Sequence, residues 1–453
     1  MAVDTAWQYK TTGGIHFLES TSQSLAKFNN FFSDNTHITT YRICDRHHGS
    51  ISNNEIKLTH SFRLPAPHSL ANTTEYGSLS NLNPTPNNNV YFPVMDTHER
   101  KPVATTDAPK AVHGPSVWSA DEIAADGRWL YQLSDVEVSE LCKAAASLDQ
   151  EPLDLRQIDK DCFPLPEFAP VLADLHQQIT EGVGIVQIRG LPIQDIGRRQ
   201  SAIIFWGLCQ HLGDEVVSQN AKGHMLGHVQ DLGQSFDDPY SRGPYTHERI
   251  EYHSDACDIV GLLCLCPAAH GGESSLASAG LVYNELQRQR PDLAEALLQP
   301  IYRDRRGEIP PGREAWYAFP VFNFSDGRLS VNNEPSYIDS VARFFAQDPN
   351  TPAQHEGLAL LEKLAHENHI EIPFEAGDMQ FINNHTILHS REAFDDANGL
   401  GKKRHLLRVW LLDYEGMPVS DAYYQRNGTP ETHRRPGGIV GSDTKPHALL
   451  DTL

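Results

Sequence analysis

Short strand-like runs spread along the chain, helices gathered in blocks between them, and no βαβ alternation predict an α+β protein built on a sheet core. The chain has 453 residues, enough for one large or two ordinary domains with a substantial core.

Taken in order, residues 1–105 differ from the rest. "LANTTEYGSLSNLNPTPNNNV" is rich in Asn, Thr, Ser and Pro and has no helical period. Such a segment buries too little apolar surface to offset its ordering entropy. It reads as low-complexity and largely disordered, with short local structure near "GGIHFLES". A folded domain is expected over 106–420, with order starting near Pro115. "LSDVEVSELCKAAASL" carries Ser134, Glu137 three residues on, and apolar residues at helical spacing, the pattern of a capped amphipathic helix. "GVGIVQIRGLP" reads as a strand closed by a turn. "RQSAIIFWGLCQHLG" reads as a helix, and "GLVYNELQRQRPDLAEALLQ" as a helix pair broken near Pro291. "LSVNN", "MQFINN" and "RHLLRVWLLD" read as strands. Residues 421–453 are Gly- and Pro-rich, a tail expected to wrap the surface.

Composition excludes several roles. Formal net charge is -22. That argues against binding a nucleic-acid backbone, whose affinity comes from Lys and Arg, and against docking on anionic membranes. The apolar runs are too short for a membrane-spanning helix. The start "MAVDTAWQYKTTGG" lacks a basic segment leading into an apolar one, so no signal peptide is expected and the cytoplasm is the expected compartment. Seven Cys without a secretory signal are expected as reduced thiols. Cys264 and Cys266 share a strand face and read as small buried hydrophobes rather than ligands. The expected partner is a small molecule, and self-association into a homo-oligomer is left open.

The chemistry is concentrated in two stretches. In "EYHSDACDIVGLLCLC", Ile259–Leu265 is a short apolar run bounded by Pro267, a buried strand. If extended backbone begins earlier, His253 and Asp255 point to one face, because side chains alternate with period two. A neutral imidazole and a carboxylate on one face can share a cation. With a second His they make the facial set of non-haem Fe(II) oxygenases, which leaves positions open for other ligands. Alone, the pair is weak evidence for a metal, and a hydrogen-bonded strand start is the commoner reading. The second stretch, "GDMQFINNHTILHSREAFDDANGLGKKRHLLRVWLLD", supplies His389 and, beyond a polar loop, Arg404 and Arg408 on an apolar strand. An even spacing puts both arginines on one face, about 13 Å apart. Charges on a buried strand need anionic partners, and guanidinium matches carboxylate bidentately. This strand is expected to face a cavity that receives an anion. The competing reading pairs both arginines with acidic residues of this acidic chain.

The ordered set His253-x-Asp255, His389, Arg404, Arg408 resembles the taurine dioxygenase-like (TauD/TfdA) group of Fe(II)/2-oxoglutarate-dependent oxygenases, over roughly Pro115 to Asp413. "HGGESS", "GIVQIRGLP" and "NNHTILHSREAF" are similar to segments of that family. The resemblance implies a double-stranded β-helix, or jelly-roll, with flanking helices. It implies that His253, Asp255 and His389 hold Fe(II), and that 2-oxoglutarate is anchored by Arg404, fifteen residues after His389, with help from Ser274. Arg408 is then expected to face substrate, joined by Asn220 in "SQNAKG" and Tyr337 in "EPSYIDSVARFF". His224 and His228 lie near the same substrate-side loop. His385 is the alternative distal ligand; His366 and His369 read as a helix end.

The implied reaction consumes O2 and 2-oxoglutarate, releases succinate and CO2, and oxidises an unactivated C–H of a small, carboxylate-bearing, amino-acid-like substrate. Desaturation and ring closure start from the same hydrogen abstraction and stay open. A zinc hydrolase leaves Arg404 and "HGGESS" unexplained. A non-catalytic metal-binding jelly-roll leaves the intact triad without a use.

Overall fold

The computed structural model describes residues 6–11, 14–19, 41–44, 108–149, 153–396, 403–420, 422–426, 433–441 and 443–450. The chain forms two compact units, 1–90 and 91–453. In the first, strands Gly14–Glu19, Ala6–Thr11 and Tyr41–Cys44 pair antiparallel in that order, and the first of these is the "GGIHFLES" segment. The expectation of disorder for the remainder of 1–105 lies outside the described residues.

The second unit is built on two sheets. The strands of these two sheets, in chain order, are β1 (Leu130–Gln132), β2 (Ile185–Arg189), β3 (Glu215–Val217), β4 (Gly227–Val229), β5 (Ile250–His253), β6 (Ile259–Cys266), β7 (Ser274–Ser278), β8 (Ile370–Ile372), β9 (Met379–Asn383), β10 (Ile387–Arg391) and β11 (His405–Leu412). The large sheet runs β1-β2-β9-β6-β11-β3, with β4 also on β11. The smaller one runs β8-β7-β10-β5. Every pairing is antiparallel except β1 with β2. This is the α+β architecture expected from the sequence.

Helices cover the outer faces. Helix Asp135–Leu148 starts at a capping box: Ser134 Oγ accepts from the Glu137 amide and the Glu137 carboxylate accepts from the Ser134 amide. Its buried Leu141 and Ala145 lie in one core with helices Ala169–Thr180 and Ile193–Leu212 and the large sheet. The last helix begins six residues before the sequence places it, with a break at Gly197, whose φ of 75 is left-handed. Helices Ala279–Gln289 and Pro291–Leu297 meet at Pro291 and pack with Pro352–Glu367 as a second core around the smaller sheet. A third core lies between the sheets, where Ile185, Val260, Ile382 and Trp410 of one meet Leu276, Ile372 and Ile387 of the other. Burying an aliphatic or aromatic side chain contributes about 1.5–3 kcal/mol, so this inter-sheet layer holds the two walls of the site at a fixed separation. No described helix is long and apolar enough to cross a membrane.

The tail does more than wrap the surface. Tyr423, Arg426, Arg435 and Ile439 are all buried.

Candidate active site

Two histidines meet because of strand register. In the β5–β10 pair, His253 and His389 are direct cross-strand partners, and their ring centroids are 4.1 Å apart. Asp255 arrives differently from the expected strand alternation. β5 ends at His253, and residues 254–258 carry the chain from the smaller sheet to the start of β6 in the large one. Asp255 sits in this crossover, not on a strand. Its carboxylate lies 4.0 Å from His253 Nε2 and 3.9 Å from His389 Nε2. One ligand atom from each residue falls within 4.8 Å of the others, a grouping that can hold a metal ion.

The electrostatics suit a cation. Burial alone would raise the Asp255 pKa, but Arg408, His389 and His253 outweigh it and the Trp410 indole adds a hydrogen bond, bringing it down to about 2. Arg408 Nη1 is 3.1 Å and Trp410 Nε1 2.8 Å from the same carboxylate oxygen. His389 is lowered to about 3, by burial first and then by His253, so it is a neutral donor. His253 Nδ1 lies 2.8 Å from the Glu251 carbonyl oxygen. That contact fixes the tautomer with the proton on Nδ1 and the Nε2 lone pair aimed at the shared point.

Behind the triad is an inner cavity of about 60 Å³, lined by His253, Asp255, His389, Ser274, Arg404 and Arg408 among others. Arg404 stands just before β11 rather than on it, and a β-bulge separates His405 from Leu406. The two arginines therefore do not follow simple strand alternation, yet both reach this cavity. Arg404 is buried, donates through Nη2 to the Gly272 carbonyl at 3.1 Å, and has Nη1 unpaired among the described residues. Burial pulls its pKa down to about 10. A buried guanidinium with an unused N–H fits an incoming carboxylate. Gly271 and Gly272 both have positive φ, 74 and 75. A Cβ on Gly272 would lie 2.8 Å from Arg404 Nε, so the double glycine clears the space in which this guanidinium lies. Ser274 Oγ donates to Gln380 Oε1 at 2.8 Å, and Gln380 donates to Gln187 at 3.1 Å, a buried polar thread between the sheets.

An outer cleft of about 770 Å³ shares His253, Asp255 and Arg408 with the inner cavity and is lined also by Tyr337, Arg306, Glu251 and Asp339. Of the expected substrate contacts, Tyr337 and Arg408 are here. Asn220 is not: its Oδ1 accepts from the amides of Lys222 and His224 in its own loop. His385 is held by Asp258 at 2.6 Å and Ser330 at 2.8 Å. His366 and His369 stack on each other, His228 lies 2.9 Å from His405, and His224 packs edge-on to His447. Sequence reasoning missed Arg391, Trp410 and Gln219. Arg391 lines the inner cavity, its pKa lowered to about 9 by burial and by Arg404. Its place two residues after His389, on the same strand face, was the available signal.

The profile of the "Taurine catabolism dioxygenase TauD, TfdA family" matches residues 149–410. FR-33289 synthase of Streptomyces rubellomurinus is 32% identical over 311 residues, covering 67% of this chain and 90% of that protein. The taurine hydroxylase-like protein SAT17 of Stachybotrys chartarum is 29% identical over 311 residues, 66% of this chain and 79% of that protein. A crystal structure of asparagine oxygenase with Fe(II), 2S,3S-3-hydroxyasparagine and succinate superposes with a TM-score of 0.52 at 16% identity, covering 70% of this chain and all of that one. That last likeness is one of fold.

Proposed function

Because the chain belongs to the TauD/TfdA family and is an Fe(II)- and 2-oxoglutarate-dependent oxygenase, we propose that His253, Asp255 and His389 hold the iron and that Arg404, with Ser274, anchors the far carboxylate of 2-oxoglutarate. We read the two facing sheets as the double-stranded β-helix of such enzymes. The observation that carries the assignment is that buried Arg404, with Nη1 unpaired among the described residues, lines the same inner cavity as the three grouped ligands. Iron held by these three residues would supply O2 activation coupled to the conversion of 2-oxoglutarate to succinate and CO2.

The chain's own part is positioning and exclusion of water. Asp255 supplies the anionic ligand; Arg408 and Trp410 keep it ionised and fix its orientation. Val260, Leu262 and Leu406 make the inner cavity wall apolar, which strengthens every charge interaction inside it.

The substrate reading is a small zwitterion of amino-acid type, oxidised at an unactivated C–H. The outer cleft supports it by offering both signs of charge. Glu251 and Asp339 have no hydrogen-bonded cation among the described residues, and burial raises both. Arg306 donates from its guanidinium to the carbonyls of Ser336, Ser241 and Asp238 rather than to a carboxylate. An ammonium and a carboxylate on one small molecule complement these two walls. Arg408 stands at the seam between cleft and cavity, and Tyr337 lines the cleft.

The test is a screen of amino acids and their derivatives by mass spectrometry with iron, ascorbate and 2-oxoglutarate. Substrate-stimulated succinate with a product gaining one oxygen atom fits hydroxylation. Loss of two hydrogens fits desaturation or ring closure. Absence of succinate under all conditions would leave only a metal-binding role.

A further inference from the structure

The family match ends at residue 410, and the crossover that carries Asp255 is held from both sides of that boundary: by Asn333, Asn384, His385, Arg408 and Trp410 within the match, and by the tail beyond it. Arg435 clamps Asp258 with two hydrogen bonds, Nε to Oδ2 at 2.9 Å and Nη2 to Oδ1 at 2.8 Å, and all of this is buried. The Gly438 amide donates to the Ala256 carbonyl at 2.7 Å. Arg426 reaches the Ser254 carbonyl at 3.5 Å and pairs with Glu334 at 2.9 Å. Alternate residues of the crossover, 254, 256 and 258, are thus each tied to the tail, and Asp255 lies among them. Ile439, next to Gly438, lines the outer cleft.

We propose that the segments 422–426 and 433–441 form a strap that positions the metal site, with Arg435 and Arg426 as positioning residues for Asp255. The inference rests on Asp255 being a metal ligand. A crossover between two sheets has no ladder of its own to fix its backbone, so its geometry comes from whatever bonds it. Guanidinium clamps are suited to this, because their planar fork fixes direction as well as distance. Groups that orient a metal ligand without touching the metal typically change metal affinity by about 10–100-fold when altered.

The experiment measures Co(II) binding to the full-length protein without 2-oxoglutarate, by equilibrium titration and by the visible Co(II) spectrum. Arg435→Lys and Arg426→Lys keep the charge and lose the fork, which favours retention of the fold. Gln354→Ala is the stability control, since Gln354 is buried and bonds Ala296 and Pro300 carbonyls far along the chain from the crossover. Asp255→Ala tests the underlying ligand assignment. The proposal expects Co(II) affinity to fall about tenfold or more in Arg435→Lys, with an altered Co(II) spectrum. It expects a smaller fall in Arg426→Lys, and unchanged affinity in Gln354→Ala even where its melting temperature drops. Wild-type affinity and spectrum in both Arg→Lys variants, with binding lost in Asp255→Ala, would overturn the strap and leave the triad standing. Unchanged binding in Asp255→Ala would overturn the ligand assignment itself.

Discussion

Arg404 and Arg408 differ by four positions and by environment. The Arg404 guanidinium has no carboxylate among its hydrogen-bond partners in the described residues and keeps an unpaired N–H; the Arg408 guanidinium is already paired with Asp255 and Gln219. Removing one partner of a buried charge pair costs about 3–5 kcal/mol, which is two to four decades in affinity at about 1.4 kcal/mol each. Arg404→Ala is therefore expected to raise the half-saturating 2-oxoglutarate concentration at least about a hundredfold, measured by succinate formation. Arg408→Ala is expected to weaken iron binding, because its guanidinium orients Asp255, and at saturating iron to keep uncoupled 2-oxoglutarate decarboxylation while the coupled product disappears. A larger 2-oxoglutarate defect in Arg408→Ala would exchange the two roles. Asp255→Ala is expected to abolish iron binding and turnover; near-wild-type iron occupancy would remove Asp255 from the ligand set. The candidate residues His253, Asp255, His389 and Arg404 were marked in sequence by the family resemblance of their ordered set; spacing alone left each pair open to an ordinary structural reading. Their partners were not marked. Trp410 reads as core in sequence, and only the fold brings its indole to a carboxylate 155 positions away.

Helices and the strands Ile185–Arg189, Arg328–Val331, Met379–Asn383 and His405–Leu412 were legible from local signals; changes of sheet and register shifts, which are set by distant pairing, were not. The helix from Asp135 was written in Ser134 and Glu137, which satisfy each other's backbone donors within one turn. Ser134→Ala is expected to cost about 1 kcal/mol and lower the thermal midpoint by about 2 °C without changing 2-oxoglutarate turnover. An unchanged midpoint in calorimetry would mean the cap is carried elsewhere. The Asp255 crossover had no such local mark. Period-two alternation applies within a strand, and nothing in "HSDACD" says that the chain changes sheets between His253 and Ile259. The bulge at His405 was hidden for the same reason: an extra residue in a pairing is a property of two strands.

For the whole molecule, the boundary between segment and enzyme is the useful prediction. Among the described residues, Pro109 and Val112 already tie to the helix Ala279–Gln289: the Pro109 carbonyl accepts from Tyr283, and Val112 bonds both ends of the Asn284 amide. Deleting residues 1–105 is expected to leave a folded protein that still forms succinate. An insoluble product, or succinate at background, would place part of that segment in the core or over the site. The acidic balance of the chain carried no fold information, as expected of net charge; it served only as a sequence argument against nucleic acid and anionic membrane as partners.

Arg435 and Gly438 come after the last strand of the large sheet in chain order, and this sets an order of events. Domains made on the ribosome fold from the N-terminal side as they emerge. Every strand of the two sheets and both histidines are therefore made before the residues that clamp the crossover. On the strap reading, a nascent chain has its imidazoles in place before its carboxylate is fixed. A stop codon before residue 435 would yield a protein with both sheets present and its candidate metal site unfinished.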